Sequence, residues 1–167
     1  MKKLCLCAAL VASCFLTFGC GGKPKPDGMP DLYKTTIVVT QNGAPLADAA
    51  LSLQSDDPSL KWAVGGKTDA NGRAELTTHG DFKGAPAGTY RVGVVKMEYE
   101  IREGAVDDEG NPVVITEEMK KNPATMDVRY VNAFSLIPDE YTNPANSPLE
   151  VTISSSSSEI PLEVPAE

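Results

Sequence analysis

The side chains able to do covalent or metal chemistry are few in this sequence, and their placement says more than their number. The four cysteines, Cys5, Cys7, Cys14 and Cys20, all fall within the first twenty residues, and the single histidine, His79, is followed by Gly80-Asp81. A catalytic zinc site takes three protein ligands, and a serine triad needs a histidine base oriented by a carboxylate. One histidine and no nucleophile-elbow sequence support neither, so His79 reads as a solvated turn residue and no enzymatic activity is expected. Oxygen ligands concentrate twice. Asp69-Ala70-Asn71-Gly72 looks like the start of a calcium loop, but the later acids and the closing Glu of an EF-hand are absent after Gly72. Asp107-Asp108-Glu109 is denser, which makes Asp107, Asp108 and Glu109 the candidates for weak calcium binding, beside their plainer reading as solvated loop charge. No other metal and no organic cofactor is expected. Trp62 is the only tryptophan; its indole is a candidate platform for a sugar ring, although a lone Trp on an alternating strand is more often core. A lysine–asparagine cross-link is disfavoured, because Lys34 would lie on the first strand while Leu149 to Pro165 contains no asparagine.

Cys20 stands apart from these. Met1-Lys2-Lys3 gives a basic start, Leu4 to Phe18 is an almost unbroken apolar run, and Gly19 precedes the cysteine. This is the layout of a secretory signal peptide, too short for a comfortable membrane span. Gly21-Gly22-Lys23-Pro24-Lys25-Pro26-Asp27-Gly28 then reads as a flexible, extended linker. In this arrangement the chain resembles bacterial lipoproteins, whose cysteine after a short apolar signal receives lipid and becomes the mature N-terminus. The resemblance implies a signal peptide over 1–19, lipidation of Cys20, a flexible tether over 20–32 and a lipid-anchored place in the bacterial cell envelope. Gly21 is no acidic retention residue, so the outer membrane is favoured over the inner in a diderm. Val11-Ala12-Ser13-Cys14 is a competing site, but it would leave a very short signal with Phe15-Leu16 directly behind the lipid. Two or more acyl chains, at about 0.8 kcal/mol per buried methylene, hold a protein on a bilayer.

Composition bounds the remainder. The chain of 167 residues carries 15 basic and 23 acidic side chains; without Lys2 and Lys3 the count is 13 against 23, a formal charge of −10. An acidic surface disfavours nucleic acid and anionic headgroups as partners. No cysteine follows Cys20, so no disulfide framework supports the domain. Residues 33–167 suit one domain with a sizeable core.

The elements that would position any site follow from period-two alternation and turn residues. Lys34 to Thr40 predicts a first strand, closed by the turn pair Asn42-Gly43. Ala49 to Gln54 alternates, with Leu51 and Leu53 on one side. Lys61 to Thr68 predicts a strand with Trp62 and Val64 facing one way. Asp69-Ala70-Asn71-Gly72 is a tight turn, Arg73 to Thr78 returns, and Thr89 to Tyr99 is a long strand with Tyr90, Val92 and Val94 inward. From Ile101 to Asp127 the pattern breaks into an irregular insertion. Within it Thr116 to Lys121 predicts one helical turn stopped by Asn122-Pro123. Val128 to Leu136 is strand-like, Ile137 to Pro144 is an ordered turn region, and Leu149, Val151 and Ile153 alternate. Ser154 to Ser158 then reads as a hairpin tip before Ile160, Leu162 and Val164. The expected class is all-β, a sandwich of antiparallel strands.

Asn42-Gly43-Ala44-Pro45-Leu46-Ala47-Asp48-Ala49, Thr68-Asp69-Ala70-Asn71-Gly72-Arg73 and Pro86-Ala87-Gly88-Thr89-Tyr90-Arg91-Val92 together resemble the carboxypeptidase regulatory-like, transthyretin-like β-sandwich family. The block Ile137 to Tyr141, with Asn143-Pro144 and Ser147-Pro148-Leu149, is similar to the C-terminal part of small envelope lipoproteins with this domain. The resemblance implies a Greek-key, Ig-like sandwich of about seven strands, serving as a non-catalytic structural or protein-interaction module with envelope proteins as partners. A module for envelope polysaccharide is the alternative.

Overall fold

The computed structural model describes residues 24–102, 104–127, 129–156 and 158–166. Cys14, Cys20 and the proposed signal peptide lie outside the described residues. The principal strands are β1 (Thr36–Gln41), β2 (Ala50–Gln54), β3 (Val64–Lys67), β4 (Arg73–Glu75), β5 (Thr77–Thr78), β6 (Gly88–Val95), β7 (Met97–Ile101), β8 (Val131–Ser135), β9 (Glu150–Ile153) and β10 (Glu159–Glu163). Two short helices, α1 (Glu117–Lys121) and α2 (Asp139–Thr142), interrupt them.

Alternation in sequence becomes two faces in space. Ile37 and Val39 of β1, Leu51 and Leu53 of β2, Val92 and Val94 of β6, and Val151 and Ile153 of β9 are buried, while their sequence neighbours Ser52, Val95 and Thr152 face outward. One sheet runs β9-β6-β2-β3-β5, extended at its edge by the pair Phe82–Lys83. The other runs β10-β1, with β4 and the short Ala44–Pro45 sharing the far side of β1. Their inner faces enclose a single cluster that includes Ile37, Val39, Leu51, Leu53, Leu76, Tyr90, Val92 and Leu162. Each such aliphatic or aromatic side chain contributes about 1.5–3 kcal/mol on full burial.

Topology then makes the Greek key. β6 pairs antiparallel with β2, β2 with β3, and β3 with β5, so the fourth strand in sequence returns beside the first. β4 and β5 are one strand that changes sheets. Glu75 pairs with Thr36 and Thr77 with Gly65, and Leu76 between them is buried at the corner, its N–H donating to Thr35 O at 3.0 Å. Counting β4–β5 once and leaving aside β7 and β8, the sandwich has seven principal strands among the described residues. The all-β sandwich read from the sequence is therefore the observed architecture.

Four local readings change. The serine run is not a hairpin tip: β9 joins β6 in one sheet, whereas β10 runs parallel to β1 in the other, so 154–158 crosses between sheets. Alternating flanks are equally compatible with a hairpin and with a crossing, because period two fixes a face and not a partner. The strand predicted over Thr89–Tyr99 is two strands that part at Lys96, with β6 in the sandwich and β7 leaving it to pair with β8. The insertion near 101–127 is the far end of that hairpin arm. It contains α1, capped by Thr116 Oγ1 accepting from Met119 N at 3.2 Å, and a 3-10 turn over Pro123–Thr125. Finally, Trp62 precedes β3 in a bend and is half-buried, not on a strand facing the core.

The two ends of the sandwich differ. Leu32–Tyr33 pairs with Ala85–Pro86 where β1 begins, so the N-terminal segment enters there, beside the His79 loop, the bend at Trp62 and the 154–158 crossing. The β7–β8 arm, the Asp69–Gly72 turn and the last residues lie at the other end. Gln41 ties that end together, its Nε2 donating to Leu136 O and Pro165 O, both at 3.0 Å.

Candidate functional site

The loop joining β2 to β3 borders two of the concave surfaces of the fold. Its shape comes from side chains that bond their own backbone. Asp57 Oδ1 accepts from Ser59 N and Ser59 Oγ, both at 2.8 Å, which starts the 3-10 turn Pro58–Leu60. The same bonds, the backbone one first, hold the Asp57 carboxyl below the ordinary range. Ser55 Oγ donates to Thr89 O at 2.8 Å, fastening the loop to β6. Arg91, on the outer face of β6, reaches Asp56 Oδ1 and Ala145 O, each at 2.5 Å, and so joins the loop to the segment after α2.

Two open grooves flank this loop. The first, about 460 Å³, is bordered by Gln54, Asp57, Pro58, Lys61, Trp62 and Pro144. The second, about 430 Å³, lies on the other side, with Ser59, Thr89, Arg91 and Glu150. Trp62 meets His79 edge to face, ring centroids 5.9 Å apart at 85°, and His79 N donates to Ala63 O at 2.7 Å. His79 takes a left-handed backbone, φ 58°, and its ring is exposed. The histidine therefore props the tryptophan at the groove rim. Aromatic carbon beside carboxylates, hydroxyls and an amide suits hydrogen bonding and stacking with a polyhydroxylated ligand.

The acidic candidates are not assembled into a cation site. Asp107 Oδ1 accepts from Asn111 N at 2.8 Å and from Glu109 N at 3.0 Å. Asp108 is paired with Arg129, which also grips Asp127 at 2.9 Å. Glu109 is exposed, and among the described residues no group of three or more His, Cys, Asp or Glu side chains converges. Asp69 repeats the Asp107 geometry, accepting from Asn71 N at 2.8 Å and Arg73 N at 2.9 Å, with Gly72 N donating to Asp69 O at 3.0 Å. In both turns the carboxylate is aimed at the chain's own amides, and those amides lower its pKa, Arg73 foremost at Asp69 and Asn111 at Asp107.

Sequence reasoning missed Arg91 and Gln41, because an outward polar residue on a strand carries no sign of what lies over it. It also missed the arm. No known protein family, curated protein or solved structure matches this chain.

Proposed function

We propose that the chain is a lipid-anchored lipoprotein of a bacterial cell envelope, a non-catalytic structural or interaction module of carboxypeptidase regulatory-like, transthyretin-like kind. The observation that carries the reading is the junction between leader and fold. A basic and apolar leader ends at Gly19-Cys20, and the chain first joins a sheet at Leu32–Tyr33, leaving a Gly/Pro/Lys tether between thiol and sandwich. Twelve residues of such linker have a root-mean-square span of roughly 17–20 Å. His79 supports a non-catalytic role, since its ring serves as packing for Trp62 and stands exposed at a turn. Envelope proteins are the expected partners. Cys20→Ala should move the protein from membrane to soluble fraction and abolish palmitate labelling; retention of both would overturn the anchor.

The half-buried Trp62 on an open groove that also carries Gln54, Ser55 and Asp57 favours a second reading, a module for envelope polysaccharide. Glycan-array binding that disappears in Trp62→Ala would establish it, while capture of an envelope protein with no glycan signal would leave the first reading in place.

A further inference from the structure

The β7–β8 arm leaves the sandwich as a two-stranded ribbon, and its outer edge is unlike the others in the fold. Leu136 N donates to Lys96 O and Arg102 N to Tyr130 O, both at 2.9 Å, so the even-numbered residues form the closed hydrogen-bonded pairs. In an antiparallel ladder the intervening residues turn their N–H and C=O groups away from the partner strand. On β8 these are Val131, Ala133 and Ser135, and no strand lies beyond them among the described residues. Edge strands are normally blunted by charge, proline or brevity. The edge strand β10 carries Glu159, Pro161 and Glu163, β9 begins with Glu150, and Phe82–Lys83 is two residues long with a lysine. The β8 sequence Val131-Asn132-Ala133-Phe134-Ser135 has none of these devices.

The two faces of the ribbon differ. The segment Asn122–Ala124 lies near Met97 and Tyr99, on one side. The opposite side presents Glu98 and Glu100 of β7 directly across from Phe134 and Asn132 of β8, and the adjoining Arg102 donates from Nε to Asn132 Oδ1 at 2.7 Å. The four cross-strand residues are exposed, Phe134 at 38%. No ion pair involves Glu98 or Glu100 among the described residues, as is also the case for Glu109, Glu118 and Glu150.

We propose that β8 receives an added strand from a protein partner, an extended segment in which basic residues alternate with small apolar ones. Its backbone would pair with Ala133 and Ser135, the mode by which extended peptides join open sheets. Its Lys or Arg side chains would lie on the exposed face away from Arg102, their stems against Phe134 and their charged heads reaching Glu98 and Glu100 on the second strand. This surface is independent of whether Cys20 carries lipid and of the Trp62 groove.

A short capped peptide of alternating Lys and Val is the probe, titrated into the full chain in detergent while amide exchange is followed at Val131–Ser135. Binding should protect the amides of Ala133 and Ser135. N-methylation of alternate probe residues, which removes the pairing amides, should weaken binding by about tenfold or more, and a Glu/Val peptide should bind about tenfold more weakly than Lys/Val. Ala133→Pro removes an outward N–H without touching the β7 ladder and should abolish protection. Because that variant can disturb the arm, the double change Glu98→Lys with Glu100→Lys provides a separate test and should reverse the preference toward Glu/Val. Absence of protection by Lys/Val, equal binding of the methylated probe, or an unreversed preference would each overturn the proposal.

Discussion

Gly72→Ala against Gly43→Ala isolates how the first turn is locked to the sandwich. Both glycines have left-handed backbones, φ +72° and +75°. A Cβ on Gly43 meets nothing within 4 Å, whereas one on Gly72 comes closer than 3.0 Å to Val39 O, with Leu46 N at 3.1 Å and Pro45 Cα at 3.2 Å. Gly72 O also accepts from Val39 N at 2.7 Å, so the turn cannot retreat without breaking a bond to the central strand. Placing an L-residue in the left-handed region costs about 1–2 kcal/mol, which is the whole expectation for Gly43→Ala. Overpacking against fixed backbone adds about 1–3 kcal/mol, bringing Gly72→Ala to about 2–5 kcal/mol. At about 4 °C per kcal/mol for a domain of this size, melting temperatures should fall by about 4–8 °C and 8–20 °C respectively. Urea unfolding of the chain from Pro24 onward, with m unchanged, gives the two free energies directly. If they agree within about 0.5 kcal/mol, the steric term does not exist and the turn is not held against β1 as described.

Gly93→Ala tests the covering of the outer face, because its Cβ would lie 2.5 Å from Pro144 Cδ and 2.7 Å from Thr142 O. A loss of about 1–3 kcal/mol and faster amide exchange over Asn143–Ser147 are expected, and unchanged exchange would refute the contact. Tyr90, whose hydroxyl donates to Pro86 O at 3.0 Å, has its pKa pushed up to about 12, first by burial and then by the charge of Asp57. A raised pKa means that the folded state keeps the proton longer than the unfolded one. Stability should therefore be full below pH ~10 and decline through pH ~12 by about 2–3 kcal/mol, a decline absent in Tyr90→Phe under denaturant titration. Asp69 and Asp107 are lowered, so their contribution is present above the ordinary carboxylate range and fades as pH falls through it. Asp107→Ala should speed amide exchange at Glu109 and Asn111, and calcium or chelator should leave the melting temperature of the parent protein unchanged; a calcium-dependent rise would show that the carboxylates leave their amides to bind it.

The legibility of this fold has a physical limit that individual residues mark. Burial alternation identified the inward faces of β2, β6 and β9, because a period of two is imposed by the backbone itself. Asn42-Gly43 and Asp69 to Gly72 were readable for the same local reason: left-handed φ and a carboxylate bonding amides two and four residues on are properties of a few consecutive residues. Partner choice is not local. Nothing in Ile153 or Ile160 says that one strand joins β6 and the next joins β1, and nothing in Val95-Lys96-Met97 marks the point where one long strand divides between two sheets. Trp62 was misplaced because a three-residue extension of β3 alternates as well as the strand does. The groove it borders depends on Pro144, 82 positions away, and the edge of β8 is set by the lack of a further strand beside it among the described residues.

The division of the molecule into two ends gives these surfaces different prospects. With lipid on Cys20, a tether spanning roughly 20 Å would hold the end bearing Leu32, the His79 loop and Trp62 toward the bilayer. A ligand of the Trp62 groove would then have to be present in the layer immediately above the membrane, which fits a polymer threaded through the envelope better than a globular partner needing clearance on all sides. The β7–β8 arm starts from the opposite end, at Lys96 and Leu136, where Gln41 also gathers the last residues of the chain. Its exposed face carries Glu98 and Glu100 beside Arg102, and no strand lies beyond β8 among the described residues, a pairing that suits an extended cationic segment. The two surfaces lie at opposite ends of the sandwich, so with the chain anchored at Cys20 they would stand at different distances from the bilayer and occupation of one would leave the other accessible.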